Sequence, residues 1–363
     1  MCLTCLSVTF GSATDRIWLK DFKINGKPVK MIFDSGSDGI ILTSDAVKRL
    51  GLRIVHPPTN GMPAFTDSYA VDFDGSAFHT DFAVINVPQY AASDFDGILG
   101  WWALHSSTFR LDGEVRRLAF LWRVPRETKT WTKFMIVTND GTLGLEVKYS
   151  DGTKGVITVD TRAWYGIGLS PRLWRQWRKA HSNSPLTLQA SVGPSGLAVD
   201  EEAFADRITM GHFSLTGVPI LQLDTNNITA PAHDNQDYVL GLAALSRLDF
   251  VVDGQHNTAY LLAKKSRPQR YTYNHLGAVF AATMDHRNEF CAWVIPESPA
   301  CEAGIRNGDI LLQVDGIHAT AWSEIWLSKF ELPAGTKLHF LLGCYGTNFE
   351  TVATLRNILQ PNY

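Results

Sequence analysis

The chain repeats itself. Two apolar runs, Phe95-Asp96-Gly97-Ile98-Leu99-Gly100 and Tyr238-Val239-Leu240-Gly241, end in glycines that lie 141 residues apart. The turns that follow them, Asp112-Gly113 and Asp253-Gly254, are also 141 residues apart. A constant offset over matching patterns marks an internal repeat, so one sequence logic has to build two similar pieces of structure. Upstream of each Leu-Gly motif, a strand-like run delivers a carboxylate. Met31-Ile32-Phe33 leads to Asp34-Ser35-Gly36, and Gly155-Val156-Ile157-Thr158-Val159 leads to Asp160-Thr161-Arg162. These aspartates are only 126 residues apart, so the second copy carries an insertion before its Leu-Gly motif. Gly193-Pro194-Ser195-Gly196 is one place where it can lie.

The turns and caps give this repeat an all-β texture. Asn25-Gly26 between apolar runs is a strong hairpin signal, and the strand after it, Val29 to Phe33, ends at Asp34. A short helix is expected over Ser44–Leu50, capped by Ser44 and stopped by Gly51. Ser170-Pro171 opens a second helix, with Trp174 and Trp177 on one face. From Gly61 to Tyr90 the pattern is again β, turning at Asp74-Gly75. Two polar, proline-containing stretches, Arg123–Lys129 and Lys264–Gln269, are expected to be linkers. They divide the 363 residues into 1–125, 126–268 and 269–363.

Composition narrows the function. Hydrophobic residues make up 45% and charged residues 19%, which is a core-building and not a disordered composition. The net charge of −3 and the lack of a Lys/Arg cluster argue against a nucleic-acid partner. No apolar run is long enough for a transmembrane helix. Cys2 and Cys5 have CxxC spacing but no second ligand pair and no βαβ context, so they are expected to be ordinary thiols. The first thirteen residues are mildly apolar and end in small residues, as a secretory signal would, which points to a periplasmic or secreted location. They lack a basic start, and a first β-strand is the plainer expectation. The eleven histidines show no metal spacing, and there is no nucleophile elbow, Ser-His-Asp ordering or phosphate loop. No metal or other cofactor is implied.

Asp34-Ser35-Gly36 with the Leu-Gly motif at Gly100, and Asp160-Thr161 with that at Gly241, together resemble the two lobes of a pepsin-like aspartic protease. The single patterns also resemble the one-lobe retroviral type, which builds its site from two identical chains. The resemblance implies an all-β fold of two pseudo-symmetric acid-protease β-barrel lobes over roughly residues 15–265. It implies an aspartic endopeptidase in which Asp34 and Asp160 share a proton and activate water against a peptide bond of a polypeptide substrate. Ser35 and Thr161 would bond across to the opposite lobe. Gly36, Gly100 and Gly241 would let backbone approach the loops closely. A mobile flap is expected near Gly61–Tyr69.

The second loop departs from that pattern, because Arg162 stands where glycine is usual. Two readings stay open at this point. Arg162 points outward into the cleft or solvent and Asp160 is catalytic, or the second loop has decayed and Asp160 is structural. In the second case two Asp34 loops could still form a site in a homodimer, or the chain is an inactive, protease-like peptide-binding protein.

Beyond the second linker the composition changes. Ile295-Pro296-Glu297-Ser298-Pro299-Ala300 leads through a Gly308-Asp309 turn into Ile310-Leu311-Leu312-Gln313-Val314-Asp315-Gly316. This resembles a PDZ domain, and the whole resembles bacterial-type aspartyl proteases with an appended PDZ domain. PDZ domains bind a peptide or protein ligand by strand addition beside a loop of backbone amides. The matching stretch here is Leu276-Gly277-Ala278-Val279-Phe280, preceded by His275 where glycine is usual.

Overall fold

The computed structural model describes residues 16–59, 62–86, 94–139, 141–193, 196–223, 236–264, 271–281, 289–319, 328–344 and 346–359. The thiols Cys2 and Cys5, the start of the chain, Pro194-Ser195 and most of the second linker lie outside them. Strands dominate. Two compact units divide the chain, one of residues Met1–Gly168, Arg207–Thr216 and Thr229–Gln269, the other of Leu169–Asp206, Gly217–Ile228 and Arg270–Tyr363.

Among the described residues the first unit opens with β1 (Ile17–Leu19), β2 (Lys23–Ile24), β3 (Lys27–Pro28), β4 (Met31–Asp34) and β5 (Ile40–Thr43). The Asn25-Gly26 turn joins β2 to β3, with both residues at positive φ, as a tight hairpin turn requires. The run ending at Asp34 is therefore a separate strand, β4. Helix α1 (Ser44–Leu50) follows, and its cap is Thr43 rather than Ser44. The Thr43 hydroxyl accepts from the Ala46 amide at 3.1 Å, while the Ser44 hydroxyl donates to Ile85 O. Gly51, at φ 72°, ends the helix as expected.

Next come β6 (Ile54–His56), β7 (Ala64–Thr66), β8 (Tyr69–Phe73), β9 (Ser76–Thr80), β10 (Ala83–Ile85), β11 (Gly97–Gly100), β12 (Thr108–Asp112) and β13 (Arg117–Phe120). One sheet runs β1-β4-β11-β5-β10-β7-β6, and a smaller one runs β3-β2-β8-β9. The central strands are apolar on both faces because both are covered. Ile32, Ile41, Ile85 and Ile98 pack on one side, and Phe33 meets Phe109 edge-on on the other. The first proposed linker is partly structured. Arg126–Thr130 is a 3₁₀ turn with Thr128 buried.

After it come β14 (Thr132–Asn139), β15 (Thr142–Lys148), β16 (Lys154–Val159), β17 (Ile167–Leu169), α2 (Pro171–Ala180), β18 (Leu186–Gly193), β19 (Gly196–Met210), β20 (Phe213–Gln222), β21 (Gln236–Leu240), a helical turn α3 (Leu242–Leu245), β22 (Leu248–Asp253) and β23 (Thr258–Ala263). Ser170 caps α2, and Trp174 stacks on Trp177, as the sequence predicts. In the first unit the sheet order is β13-β12-β22-β23-β14-β15-β16-β21. The two hairpins that share the 141-residue offset thus lie side by side, with β12 antiparallel to β22 and Thr108 opposite Asp253.

The second unit contains the β18–β19 hairpin and the C-terminal strands β24 (Ala278–Ala281), β25 (Cys291–Val294), β26 (Ile310–Val314), β27 (Ile317–His318), β28 (Lys337–Cys344) and β29 (Thr347–Thr354), with a short helix α4 (Pro299–Glu302). They form the sheet β24-β25-β26-β28-β29 over a core that includes Leu276, Phe280, Phe330 and Phe340.

Candidate active site

The two carboxylate loops are built the same way from local parts. β4 is parallel to β11, which brings Gly100 opposite Asp34. β16 is parallel to β21, and the Asp160 amide donates to Leu240 O at 3.0 Å. Each Leu-Gly motif then crosses its loop. The Trp101 amide donates to Ser37 O at 2.9 Å, and the Leu242 amide donates to Ala163 O at 2.7 Å. A Cβ on Gly100 would sit 2.5 Å from Ser37 O, and one on Gly241 would sit 2.4 Å from Tyr165 O. Only glycine fits either crossing.

The loops meet through their hydroxyls. The Ser35 amide donates to Thr161 Oγ1, and the Thr161 amide donates to Ser35 Oγ, both at 3.0 Å. Ser35 Oγ donates in turn to Val159 O at 2.6 Å, and Thr161 Oγ1 donates to Phe33 O at 3.0 Å. Each hydroxyl is buried and satisfied as donor and acceptor, so the cluster fixes both loops at once.

Above this clasp the carboxylates converge on Gly36. A Cβ there would be 3.3 Å from Asp34 Oδ1 and 3.5 Å from Asp160 Oδ1. Asp34 accepts from the Gly36 amide at 2.9 Å and from Ser37 Oγ at 2.6 Å. Asp160 accepts from the Arg162 amide at 2.8 Å and from the Ala163 amide at 3.1 Å. Burial pushes the Asp160 carboxyl up to about 6, with help from the nearby Asp34 charge; Arg162 and the two amides oppose the rise.

Arg162 does not point outward. Its side chain is 11% exposed, and Nη1 lies 3.2 Å from Asp34 Oδ2. The expectation of a solvent-facing arginine fails because the buried carboxylate of the opposite loop is a better partner than water. Ser37 was also missed, although its position three residues after Asp34 is where a loop hydroxyl can turn back to the carboxylate.

The remaining candidates fall elsewhere. Ala64–Thr66 of the expected flap is strand β7, paired with β6, and Gly61 is outside the described residues. Leu276, Ala278, Val279 and Phe280 are all buried, and Gly277 takes φ 70°. The amides of Leu276 and Gly277 donate to Asn274 Oδ1 at 2.8 and 3.2 Å. Asn274 Nδ2 donates in turn to Leu188 O in β18 and to Ala278 O. Two amides of the type that would hold a peptide carboxylate are thus used within the chain. Among the described residues no group of three or more His, Cys, Asp or Glu side chains is arranged to hold a metal.

Residues 21–101 match the family model of the aspartyl protease, a stretch that takes in Asp34-Ser35-Gly36 and ends just after Gly100. Residues 290–325 match the PDZ domain. The chain is therefore mostly strand and carries an aspartyl protease domain with a PDZ domain at its C-terminal end. No curated protein matches it.

Proposed function

We propose that the chain is an aspartic endopeptidase whose dyad is Asp34 and Asp160, with two lobes over residues 1–125 and 126–268 and a PDZ domain over 269–363. The observation that carries this reading is the Ser35–Thr161 clasp. It ties together two loops of the same build and turns both carboxylates toward one glycine. Asp34 is buried and Asp160 half-buried, and two carboxylates that converge on one glycine do not both ionise easily, so the pair keeps one proton. In this reading Asp160, whose carboxyl burial and the nearby Asp34 charge push up, holds it. Asp34, with three donors on its oxygens, is the carboxylate.

In this reading Asp34 takes a proton from water, and the water oxygen forms a bond to the scissile carbonyl carbon. Asp160 gives its proton to the carbonyl oxygen, producing a neutral gem-diol. The proton on Asp34 then passes to the leaving nitrogen as the C–N bond breaks, and Asp160 recovers its proton from the gem-diol as the new carboxylic acid forms. Ser35, Gly36, Thr161, Gly100 and Gly241 support the loops. The PDZ domain takes a peptide or protein ligand without capturing a terminal carboxylate, because Asn274 uses the Leu276 and Gly277 amides.

A second reading is an inactive, peptide-binding scaffold. The Arg162–Asp34 ion pair favours it, since it engages the base. Incubating an unfolded protein with the purified chain from about pH 3 to about 8, where a carboxylate dyad works, decides between them. Cleavage lost in both Asp34→Asn and Asp160→Asn supports the dyad. Cleavage lost only in Asp34→Asn moves the site to a homodimer. No cleavage by the intact chain leaves the scaffold.

A further inference from the structure

A cavity of about 840 Å³ opens in the first unit where the Asp34 loop ends. Asp38 and Gly39, four and five residues past Asp34, line it, as does Leu99, the residue before Gly100. The cavity is thus continuous with the loop that carries the candidate carboxylate, but Asp34 itself is not part of it.

Its walls are aromatic. Phe73, Phe78, Phe120, Trp102 and Trp122 all line it. Trp122 is fully exposed, and Trp102 and Phe78 are 47% and 37% exposed. A single exposed aromatic residue is ordinary. Three of them around one cavity make an apolar patch of the kind that marks an interaction site.

The rim is acidic. The charged residues among the described lining are Asp38, Asp74 and Asp81, and no lysine or arginine is among them. A cationic group is therefore favoured at the mouth and an anionic one disfavoured.

One wall is also a strand edge. β9 supplies Ser76, Phe78, His79 and Thr80 to the cavity and is the last strand in the order β3-β2-β8-β9. Among the described residues no strand pairs with its outer side. Extended polypeptide adds to such edges through main-chain hydrogen bonds while its side chains enter neighbouring pockets. Aromatic walls, acidic rim and open edge are three independent features that fit one occupant.

We propose that this cavity is an exosite for the protein substrate, taking an extended segment in which a bulky apolar residue is flanked by lysine or arginine. The apolar side chain enters between Phe78 and Trp122, and the basic neighbours face Asp74 and Asp81. The proposal rests on the endopeptidase reading for the word substrate, and its test does not depend on cleavage.

The test uses the full chain carrying Asp34→Asn and two fluorescein-labelled peptides, Lys-Val-Lys-Phe-Lys-Leu-Lys and the same sequence with every Lys replaced by Glu. Both are amidated, and the Trp122 and Phe78 variants separate binding at the cavity from binding at the PDZ domain. Fluorescence anisotropy should show the basic peptide binding about tenfold more tightly than the acidic one. Trp122→Ala and Phe78→Ala should each weaken it about fivefold or more, as loss of an aromatic anchor does. Asp74→Asn with Asp81→Asn should bring the two peptides within about twofold of each other. Trp122 is exposed, so its replacement does not threaten the fold, and a thermal melt of each variant checks this. Equal binding of the two peptides, or binding indifferent to Trp122 and Phe78, overturns the proposal. So does a dimer in sedimentation that Trp122→Ala dissociates without any peptide binding, since the face then belongs to a second copy. Absent cleavage by the wild-type chain, with binding as described, overturns the endopeptidase reading alone and leaves a polypeptide-binding site.

Discussion

Arg162 holds its Nη1 3.2 Å from Asp34 Oδ2, a contact that spans 128 residues of chain between two nearly buried side chains. The cation opposes the rise in the Asp160 proton affinity that burial and the Asp34 charge produce. Removing it has a direction. In Arg162→Gly the Asp160 carboxyl holds its proton to higher pH, and the alkaline limb of the kcat/KM profile moves up by about one pH unit. Arg162→Lys keeps the charge and leaves the limb close to wild type. A limb that stays fixed in Arg162→Gly while activity persists shows that the ion pair does not set the protonation of the dyad.

The wild-type profile follows from the same group. Asp160 must carry a proton to act as the acid, and its carboxyl is raised to about 6. Cleavage of a peptide substrate is therefore expected to fall as pH rises through about 6, while the fold is intact by circular dichroism. Asp160→Asn should lower kcat by at least about 100-fold, the loss typical of a general acid. A profile flat from pH 5 to about 8 excludes Asp160 as the acid.

The Ser35–Thr161 clasp predicts a stability effect that neither residue would show alone on the surface. Ser35→Ala leaves the Thr161 amide and Val159 O without their partner, and Thr161→Ala does the same to the Ser35 amide and Phe33 O. Each should cost about 2 kcal/mol in urea unfolding. The double variant should cost less than the two together, because each single change already breaks the shared cluster. Strict additivity would mean that the two loops are held independently.

The second unit has its own titrating group. Glu202 in β19 is fully buried, with the Tyr271 hydroxyl on Oε1 and Gln189 Nε2 on Oε2 at 2.8 Å. Burial raises its carboxyl from 4.5 to about 7, Tyr271 and Gln189 oppose the rise, and Glu331 adds to it. The folded state thus binds this proton more tightly than the unfolded state does. The contribution to stability is fully present below pH 4.5 and is lost as pH rises through about 7, by an amount of about 3 kcal/mol. Chemical denaturation of Glu202→Gln and wild type across this range should show that slope in wild type and lose it in the variant.

The fold of this protein was written mainly in short-range signals. The 141-residue offset, the Asn25-Gly26 turn, the carboxylate-ended strands and the Ser170-Pro171 helix start could all be read, because each depends on residues close in sequence and on periodic burial. The cap of α1 was misplaced by one residue for the same reason: Thr43 and Ser44 are equally able, and only the chain path from β5 selects between them.

What the tertiary structure decided is where long or polar side chains find partners. Arg162 could have faced water by any local rule, and a buried charge on a loop distant in sequence turned it inward. Asn274 takes the Leu276 and Gly277 amides because it is buried beside them and beside Leu188, where an unmade hydrogen bond is costly. The cavity beside Asp38 gathers Phe78 of β9 and Trp122, two residues beyond β13, whose local patterns say nothing of each other. Local sequence set the two carboxylates on their loops with their own backbone and Ser37 donors, and only long-range packing added the Arg162 charge and the Ser35–Thr161 clasp that joins the loops.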